Sequence, residues 1–184
     1  MSTATLANGC FWCTEAIFKR LKGVWRVTPG YTGGKTQHPN YDQVSMGNTG
    51  HAEAIQIEFD TSIISYDVLL DVFFTTHDPT TLNAQGNDIG TQYRSAIFFH
   101  TKEQELAARS KKDELDKSMK FPAKIVTEIT PFTVFYPAEN YHKDYYERNK
   151  ESNPYCRVII DPKIKKLFKE YSSLLLEKYS DPKN

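Results

Sequence analysis

The chain has 184 residues, of which 39% are hydrophobic and 25% are charged, and its 23 basic residues balance 23 acidic ones. This length and composition are typical of one globular domain, and zero net charge gives no basis for a nucleic-acid or membrane partner. Three cysteines are too few for a disulfide framework, so we expect free thiols and a cytoplasmic protein.

The predicted elements mix strands and helices without a regular parallel rhythm. Alternating or clustered apolar residues predict five strands, at Thr3–Ala7, Val24–Thr28, Ala52–Phe59, Tyr93–His100 and Lys124–Ile129. Helical spacing and capping residues predict five helices, at Phe11–Lys22, Tyr66–His77, Thr101–Lys117, Pro137–Lys150 and from the N-cap Asp161 with Pro162 onward.

Two predicted loops, Gly30–Gly50 and Asp78–Thr91, are long enough to indicate a functional role. The whole pattern predicts an α+β fold. We expect a two-layer α/β sandwich with a ferredoxin-like mixed sheet, flanking helices and long active-site loops, in one domain that spans residues 1–184.

A cysteine stands where the first predicted strand gives way to the first predicted helix. Gly9 allows a sharp backbone turn before Cys10. The free N–H groups and the positive dipole end of a helix start favour thiolate over thiol, and the thiolate is the nucleophile. Phe11 and Trp12 are expected to line an apolar recess beside it. Cys10 is therefore a candidate nucleophile, although an inert buried cysteine fits the same pattern.

Cys10 and Cys13 form a Cys-x-x-Cys motif. Besides a single nucleophilic cysteine, such a motif is typical of two other kinds of site. A thioredoxin-like disulfide oxidoreductase carries such a motif after a βα start. A metal site needs about four ligands, and only Cys156 and scattered histidines remain. We therefore expect no metal and no cofactor.

A carboxylate is the second candidate. Alternation along the third predicted strand places Glu53 on the face of Ile55, Ile57 and Phe59, which is the face that should be buried. Burial raises the pKa of a carboxyl, so Glu53 is a candidate general acid. A glutamate at the strand end that turns to solvent, or pairs with a lysine, is the alternative.

Four blocks of the chain resemble the A class of peptide methionine sulfoxide reductases. They occur in the order of that family and extend over most of the chain, from about Leu6 to Tyr155. The blocks are Gly9-Cys10-Phe11-Trp12 with Glu15, then Gly50-His51-Ala52-Glu53, then Gln85–Ser95, and finally Pro137-Ala138-Glu139 with Tyr141-His142.

The resemblance implies a role for each matched residue. Cys10 attacks the sulfoxide sulfur and becomes a sulfenic acid, and Glu53 protonates the sulfoxide oxygen. Tyr41 and Tyr93 hydrogen-bond that oxygen, and Asp88 helps to position substrate and water.

Phe11 and Trp12 are expected to hold the substrate methyl group. The implied substrate is the S epimer of methionine sulfoxide, free or in peptides. The implied reductant is thioredoxin, and we expect the enzyme to be a monomer. Glu15 also belongs to the first block, but a glutamate in a first helical turn interacts well with the helix dipole, so we interpret it as structural.

Two cysteines are candidates to resolve the sulfenic acid. Many family members use a cysteine in a glycine-rich C-terminal tail, whereas here Cys156 precedes the β-branched segment Val158–Ile160 and is a candidate for burial. Cys13 lies one helical turn from Cys10, a spacing that permits a disulfide. We expect Cys13 to be the resolving thiol, with Cys156 as the alternative.

Two other functions remain compatible with parts of this pattern. A general Cys10–Cys13 disulfide oxidoreductase explains the motif but gives Glu53, Tyr41 and Tyr93 no task. A module that only binds oxidised methionine requires no nucleophile, and the intact Cys10 and Glu53 argue against it.

Overall fold

The computed structural model describes residues 1–179, which form a mixed α/β fold. Eight strands are present in the described residues. They are β1 (Ser2–Asn8), β2 (Val24–Thr32), β3 (Ala52–Phe59), β4 (Ala84–Gln85), β5 (Asp88–Ile89), β6 (Ser95–Phe99), β7 (Glu128–Pro131) and β8 (Phe135–Pro137).

Six α-helices accompany the strands in the same part of the chain. They are α1 (Phe11–Phe18), α2 (Tyr41–Ser45), α3 (Tyr66–Thr75), α4 (Lys102–Lys117), α5 (Tyr145–Asn149) and α6 (Asp161–Tyr171). A π-helical segment, Cys156–Ile160, leads directly into α6.

The main sheet has six strands in the order β7-β6-β1-β3-β2-β8. Only the β6–β7 pair of this sheet is parallel, so the sheet is mixed, as predicted. Strands β4 and β5 form a separate hairpin. The narrower ferredoxin-like assignment stays a prediction.

Apolar layers cover both faces of the sheet. Ile55 and Ile57 of β3 pack into the main core with residues of α1 and α3. The alternate residues, Ala52 and Ala54, belong to a smaller cluster on the opposite face, against which Phe135 packs. Because both faces are covered near the start of β3, a side chain there is buried whichever way it points.

The predicted β3 is confirmed at both ends, and β1 and α3 lie close to their predicted bounds. Helix α1 ends at Phe18 instead of Lys22 because the next residues pair with the C-terminal segment. The Lys22 N–H donates to the Leu174 carbonyl over 2.8 Å, and Leu21 forms a bridge with Leu175.

Three further element predictions are wrong in their bounds or type. The predicted loop 30–50 contains the end of β2 and all of α2, whose N-cap Asn40 forms a capping box with Gln43. The predicted strand Tyr93–His100 begins only at Ser95, after a 3₁₀ turn. The strand predicted at Lys124–Ile129 is β7, which begins four residues later and ends two residues later.

The C-terminal third differs most from the prediction. Segment Pro137–Lys150 is not one helix, because Asp144 adopts a left-handed conformation (φ 54°) and breaks it into a 3₁₀ turn and α5. Helix α6 begins at Asp161 with Pro162 in its first turn, but Asp161 is not an N-cap, since the chain is already helical from residue 154. The π-helical segment before Pro162 accommodates a residue that has no N–H for the regular α-helical bond.

Candidate active site

Cys10 lies at the tight connection between β1 and α1, as predicted. Gly9 before it has φ +101°, and a Cβ atom there would lie 2.8 Å from the Gln85 side chain. Only glycine combines this conformation with this close approach. Cys10 is the N-cap residue of α1 and is 7% exposed.

Glu53 lies on β3 opposite Tyr31 of β2 and is 2% exposed. Its Oε2 accepts the backbone N–H of Phe11 over 3.0 Å, which connects the carboxyl to the start of α1. Burial raises the pKa of Glu53 to about 8, an effect that nearby negative groups strengthen and the Phe11 N–H opposes. The carboxyl is therefore mostly neutral at pH 7.

A cavity of about 200 Å³, here called the catalytic cavity, brings most of the predicted residues together. It contains the sulfur-bearing Cys10 and the carboxyl of Glu53, which come from different elements. Its lining residues are Cys10, Trp12, Tyr41, Glu53, Asp88, Tyr93 and Tyr155. Of the predicted residues, Phe11, Cys13 and the alternative thiol Cys156 are not in the lining.

Tyr41 and Tyr93 face this cavity as neutral phenols. Burial raises the pKa of Tyr41 to about 12, and burial raises the pKa of Tyr93 as well, with the charge of Glu53 adding to both. Glu139 fixes the position of Tyr41, because its Oε1 accepts the Tyr41 backbone N–H over 2.8 Å. Both hydroxyls can donate a hydrogen bond to an oxygen in the cavity.

Trp12 is held on two sides by the C-terminal third. Its ring stacks on Tyr145 at a centroid distance of 3.8 Å, and its indole N–H donates to Nδ1 of His142 over 3.0 Å. Phe11 is 1% exposed, and its ring contacts those of Tyr31 and His142 behind the cavity. Its contact with the catalytic machinery is through its backbone N–H, not its ring.

Tyr155 is a cavity residue to which the sequence analysis assigned no role. Its hydroxyl donates to Oδ2 of Asp88 over 2.7 Å and lies 3.9 Å from the sulfur of Cys13. His142 and Tyr145 were likewise missed as supports of Trp12. The one available signal was position, since Tyr155 directly precedes Cys156 at the end of the region that resembles the family.

The cysteine pKa values differ from the expectation. Burial raises the pKa of Cys10, which opposes the predicted resting thiolate. A hydrogen bond from the Cys10 thiol lowers the pKa of Cys13 to about 7. Cys13 is therefore the more acidic of the two thiols.

Cys156 is completely buried and lies outside the cavity lining. It packs with Cys13, Ile160 and Ile164 in an apolar cluster beneath α1. Burial raises the pKa of Cys156, and the nearby Cys13 adds to this effect. These surroundings favour an unreactive thiol.

Glu15 is also buried, but it points away from the cavity. Both of its carboxyl oxygens accept the backbone N–H of Asp144, over 3.0 and 2.9 Å. Glu15 thereby fixes the position of Asp144, the residue in left-handed conformation that separates the 3₁₀ turn from α5. The prediction that Glu15 lies in the first helical turn is wrong, because α1 begins at Phe11 and its first turn contains no acidic residue; the contact with Asp144 explains its burial instead.

Neither a metal centre nor a membrane span emerges from residues 1–179. No group of three or more His, Cys, Asp or Glu side chains there has the arrangement of a metal site. None of the helices in this range has the length and apolar character needed to cross a bilayer.

Comparison with known proteins identifies the family. Its model, described as peptide methionine sulfoxide reductase, matches residues 2–174. The peptide methionine sulfoxide reductase MsrA of Saccharolobus solfataricus is 56% identical over 169 residues, which cover 92% of this chain and 94% of that relative.

Two solved structures extend the comparison. Mxr1 from Saccharomyces cerevisiae in its reduced form superposes with a TM-score of 0.76 at 36% identity, covering 83% of this chain and 87% of Mxr1. Mxr1 in complex with Trx2 gives a TM-score of 0.54 at 29% identity, over 78% of this chain and 84% of that one.

Proposed function

The chain belongs to the peptide methionine sulfoxide reductase family, and on this basis we propose that it reduces the S epimer of free and peptide-bound methionine sulfoxide. The observation that supports this proposal is the catalytic cavity, in which a cysteine sulfur and a neutral carboxyl face the same small space. The reaction repairs methionine after oxidative damage.

The first step joins the Cys10 sulfur to the sulfoxide sulfur. The Cys10 proton passes to Cys13, to which Cys10 already hydrogen-bonds, and the resulting Cys10 thiolate attacks. Negative charge then grows on the sulfoxide oxygen. Glu53 gives its proton to this oxygen, and the phenols of Tyr41 and Tyr93 donate hydrogen bonds to it. Such preplaced donors are worth about 3 kcal/mol in comparable anion-stabilising sites.

The bond between the two sulfurs and the substrate S–O bond then break, and the protonated oxygen passes to the Cys10 sulfur as a hydroxyl group. The products are methionine and a Cys10 sulfenic acid, so the substrate gains the two electrons that Cys10 loses. Cys13, which has received the proton, then attacks the sulfenic sulfur. A Cys10–Cys13 disulfide forms and water leaves. Cys13 is favoured over Cys156 because it hydrogen-bonds with Cys10, whereas burial raises the pKa of Cys156 and lowers that thiol's reactivity.

Trp12 and Asp88 orient the substrate. The rigid stack of Trp12 on Tyr145 provides an apolar wall for the S-methyl group, and Phe11 supports that wall from behind. Asp88 accepts hydrogen bonds from substrate N–H groups or water at the cavity edge. The three donors Glu53, Tyr41 and Tyr93, together with the apolar wall, select one configuration at sulfur.

Thioredoxin is the proposed reductant of the disulfide. The Mxr1–Trx2 complex of a related fold supports this partner. We further propose that the protein is a monomer, and that it is cytoplasmic, where its three free cysteines stay reduced. The strand order β6-β1-β3-β2 at the sheet centre supports the ferredoxin-like assignment.

The test is a single turnover of N-acetylmethionine sulfoxide without external reductant. We expect about one equivalent of sulfide, formed from the S epimer only, and one Cys10–Cys13 disulfide by peptide mapping. A Cys10–Cys156 disulfide would transfer the resolving role to Cys156. Absence of sulfide together with active disulfide exchange would favour the general disulfide oxidoreductase instead.

A further inference from the structure

A second cavity, here called the flanking groove, lies beside the catalytic cavity. Its volume is about 240 Å³. The segment Gln85–Asp88 forms one wall, and the other is formed by Tyr155, Val158, Ile159, Pro162 and Lys163. The second wall thus comes from the π-helical segment and the first turn of α6, the region that departs most from the predicted fold.

The two cavities share a wall. Asp88 and Tyr155 line both of them, and the Tyr155 hydroxyl donates to Asp88 Oδ2 over 2.7 Å. A polypeptide whose oxidised methionine occupies the catalytic cavity can therefore extend across this wall. Consecutive Cα atoms are about 3.8 Å apart, so a residue one or two positions away reaches the groove.

The chemistry of the groove favours an apolar occupant. Its only charged lining residues are Lys163 and Asp88, which have opposite charges, so it selects neither sign. Val158 is 68% exposed in the groove wall, which leaves apolar surface available for contact. The volume is below the roughly 300 Å³ minimum of sites for drug-sized ligands, and it suits a single side chain.

We propose that the flanking groove is a subsite for an apolar side chain next to, or one residue beyond, methionine sulfoxide in a polypeptide substrate. The proposal rests on the proposed reductase function, which places the sulfoxide in the adjoining cavity. The anchored sulfoxide brings its chain neighbours to the shared wall in every turnover. Thioredoxin, which docks on the protein surface, has no group anchored beside the groove in this way. The groove is therefore assigned to the polypeptide substrate.

The test compares peptides that differ only beside the oxidised methionine. Pentapeptides with leucine or asparagine one or two positions before or after the central methionine sulfoxide are assayed with dithiothreitol as reductant, so that thioredoxin plays no part. For one side, kcat/KM of the leucine peptide should exceed that of the asparagine peptide about tenfold, as expected for partial burial of a leucine. N-acetylmethionine sulfoxide is assayed in parallel.

Two variants connect this preference to the groove. Val158→Asp puts a charge into the apolar wall, so the leucine-to-asparagine ratio should fall to about two. Lys165→Ala is the matched control, because Lys165 is exposed on α6 and absent from the groove lining; it should keep the full ratio. Equal thermal midpoints of the two variants verify that both are folded.

Equal kcat/KM values for the wild-type protein on all peptides would overturn the subsite. So would a Val158→Asp variant that keeps the peptide ratio but has a higher KM for thioredoxin, since the groove would then be a docking surface for the reductase. Failure to reduce even N-acetylmethionine sulfoxide would instead refute the proposed function. The two failures are therefore distinguishable.

Discussion

Two polar regions lie near helix α1, and each combines a buried glutamate with a tyrosine that donates to an aspartate. In the catalytic cavity these are Glu53 and the Tyr155–Asp88 pair, with an oxygen–oxygen distance of 2.7 Å. In the second region, here called the junction, they are Glu15 and the Tyr146–Asp161 pair, also at 2.7 Å. Both glutamates are 2% exposed.

The regions differ in where the glutamate oxygens point. Both Glu15 oxygens accept the Asp144 N–H, whereas Glu53 accepts one N–H from Phe11 and also lines an open cavity. Burial raises the pKa of both groups, to about 8 for Glu53 and about 7 for Glu15. A raised pKa therefore does not identify an acid catalyst; access to a cavity beside a nucleophile does.

The largest expected difference is in the rate of the first turnover. Glu53→Gln removes the proton donor, so the single-turnover rate should fall by a factor of about 100 to 10,000. Under conditions in which it is folded, the matched Glu15→Gln variant should retain the single-turnover rate within about threefold. Rapid-quench measurement of sulfide formation compares them, and similar losses in both would mean that Glu53 acts only structurally.

Stability should respond to pH in the same two variants. The pKa of Glu53 is about 8 in the folded protein against 4.5 for a free glutamate, so between these values the native state holds a proton that the unfolded state has lost. The free energy of unfolding therefore falls as pH rises, by about 1.4 kcal/mol per unit.

Glu53→Gln abolishes this loss and should stabilise the protein at pH 9 by about 3 to 5 kcal/mol relative to wild type. Glu15→Gln should gain less than about 2 kcal/mol, because its pKa shift is smaller and the amide cannot accept the Asp144 N–H at both positions. Urea unfolding at pH 5 and pH 9 measures both. A larger gain for Glu15→Gln would contradict the order of the two pKa shifts.

The pH profile of the first turnover is the next test. The rate should increase as pH approaches 7, where Cys13 ionises and can take the Cys10 proton, and decrease about tenfold per unit above pH 8 as Glu53 loses its proton. Glu15→Gln should keep the alkaline decrease, and Glu53→Gln should lack it. If the alkaline decrease in rate persisted in Glu53→Gln, the decrease would have to come from the titration of another group.

The tyrosine–aspartate pairs give the smallest expected contrast. Tyr155→Phe frees Asp88 at the cavity wall and should raise KM about three- to tenfold. Tyr146→Phe breaks the corresponding bond to Asp161 in the junction, so it should lower the free energy of unfolding by about 1 kcal/mol and leave KM unchanged. The opposite pattern of effects would show that Tyr155 is only structural.

The part of the site on regular elements could be predicted from the sequence. Alternation along β3 indicated the buried face of Glu53, and the strand-to-helix transition at Gly9 indicated Cys10, because both signals are local. The family resemblance added Tyr41, Tyr93 and Asp88, which come from loops that no periodicity describes.

The C-terminal third could not be predicted in this way. Its conformation depends on contacts with distant residues, such as the bond from Asp144 to Glu15 and the stacking of Tyr145 on Trp12. The role of Tyr155 depends on a bond to Asp88, 67 residues earlier. Helical propensity alone favoured a single helix there, and tertiary contacts overrode it.

Direct titration of the Glu53 carboxyl by ¹³C NMR is the decisive measurement. In protein labelled with ¹³C-glutamate, the Glu53 signal is identified as the one that disappears in Glu53→Gln, and the Glu15 signal as the one that disappears in Glu15→Gln. The Glu53 signal should report a neutral carboxyl at pH 7 and a titration midpoint at a pH of about 8. A Glu53 carboxyl that is already ionised at pH 6, with a midpoint near the ordinary 4.5, would contradict its role as proton donor.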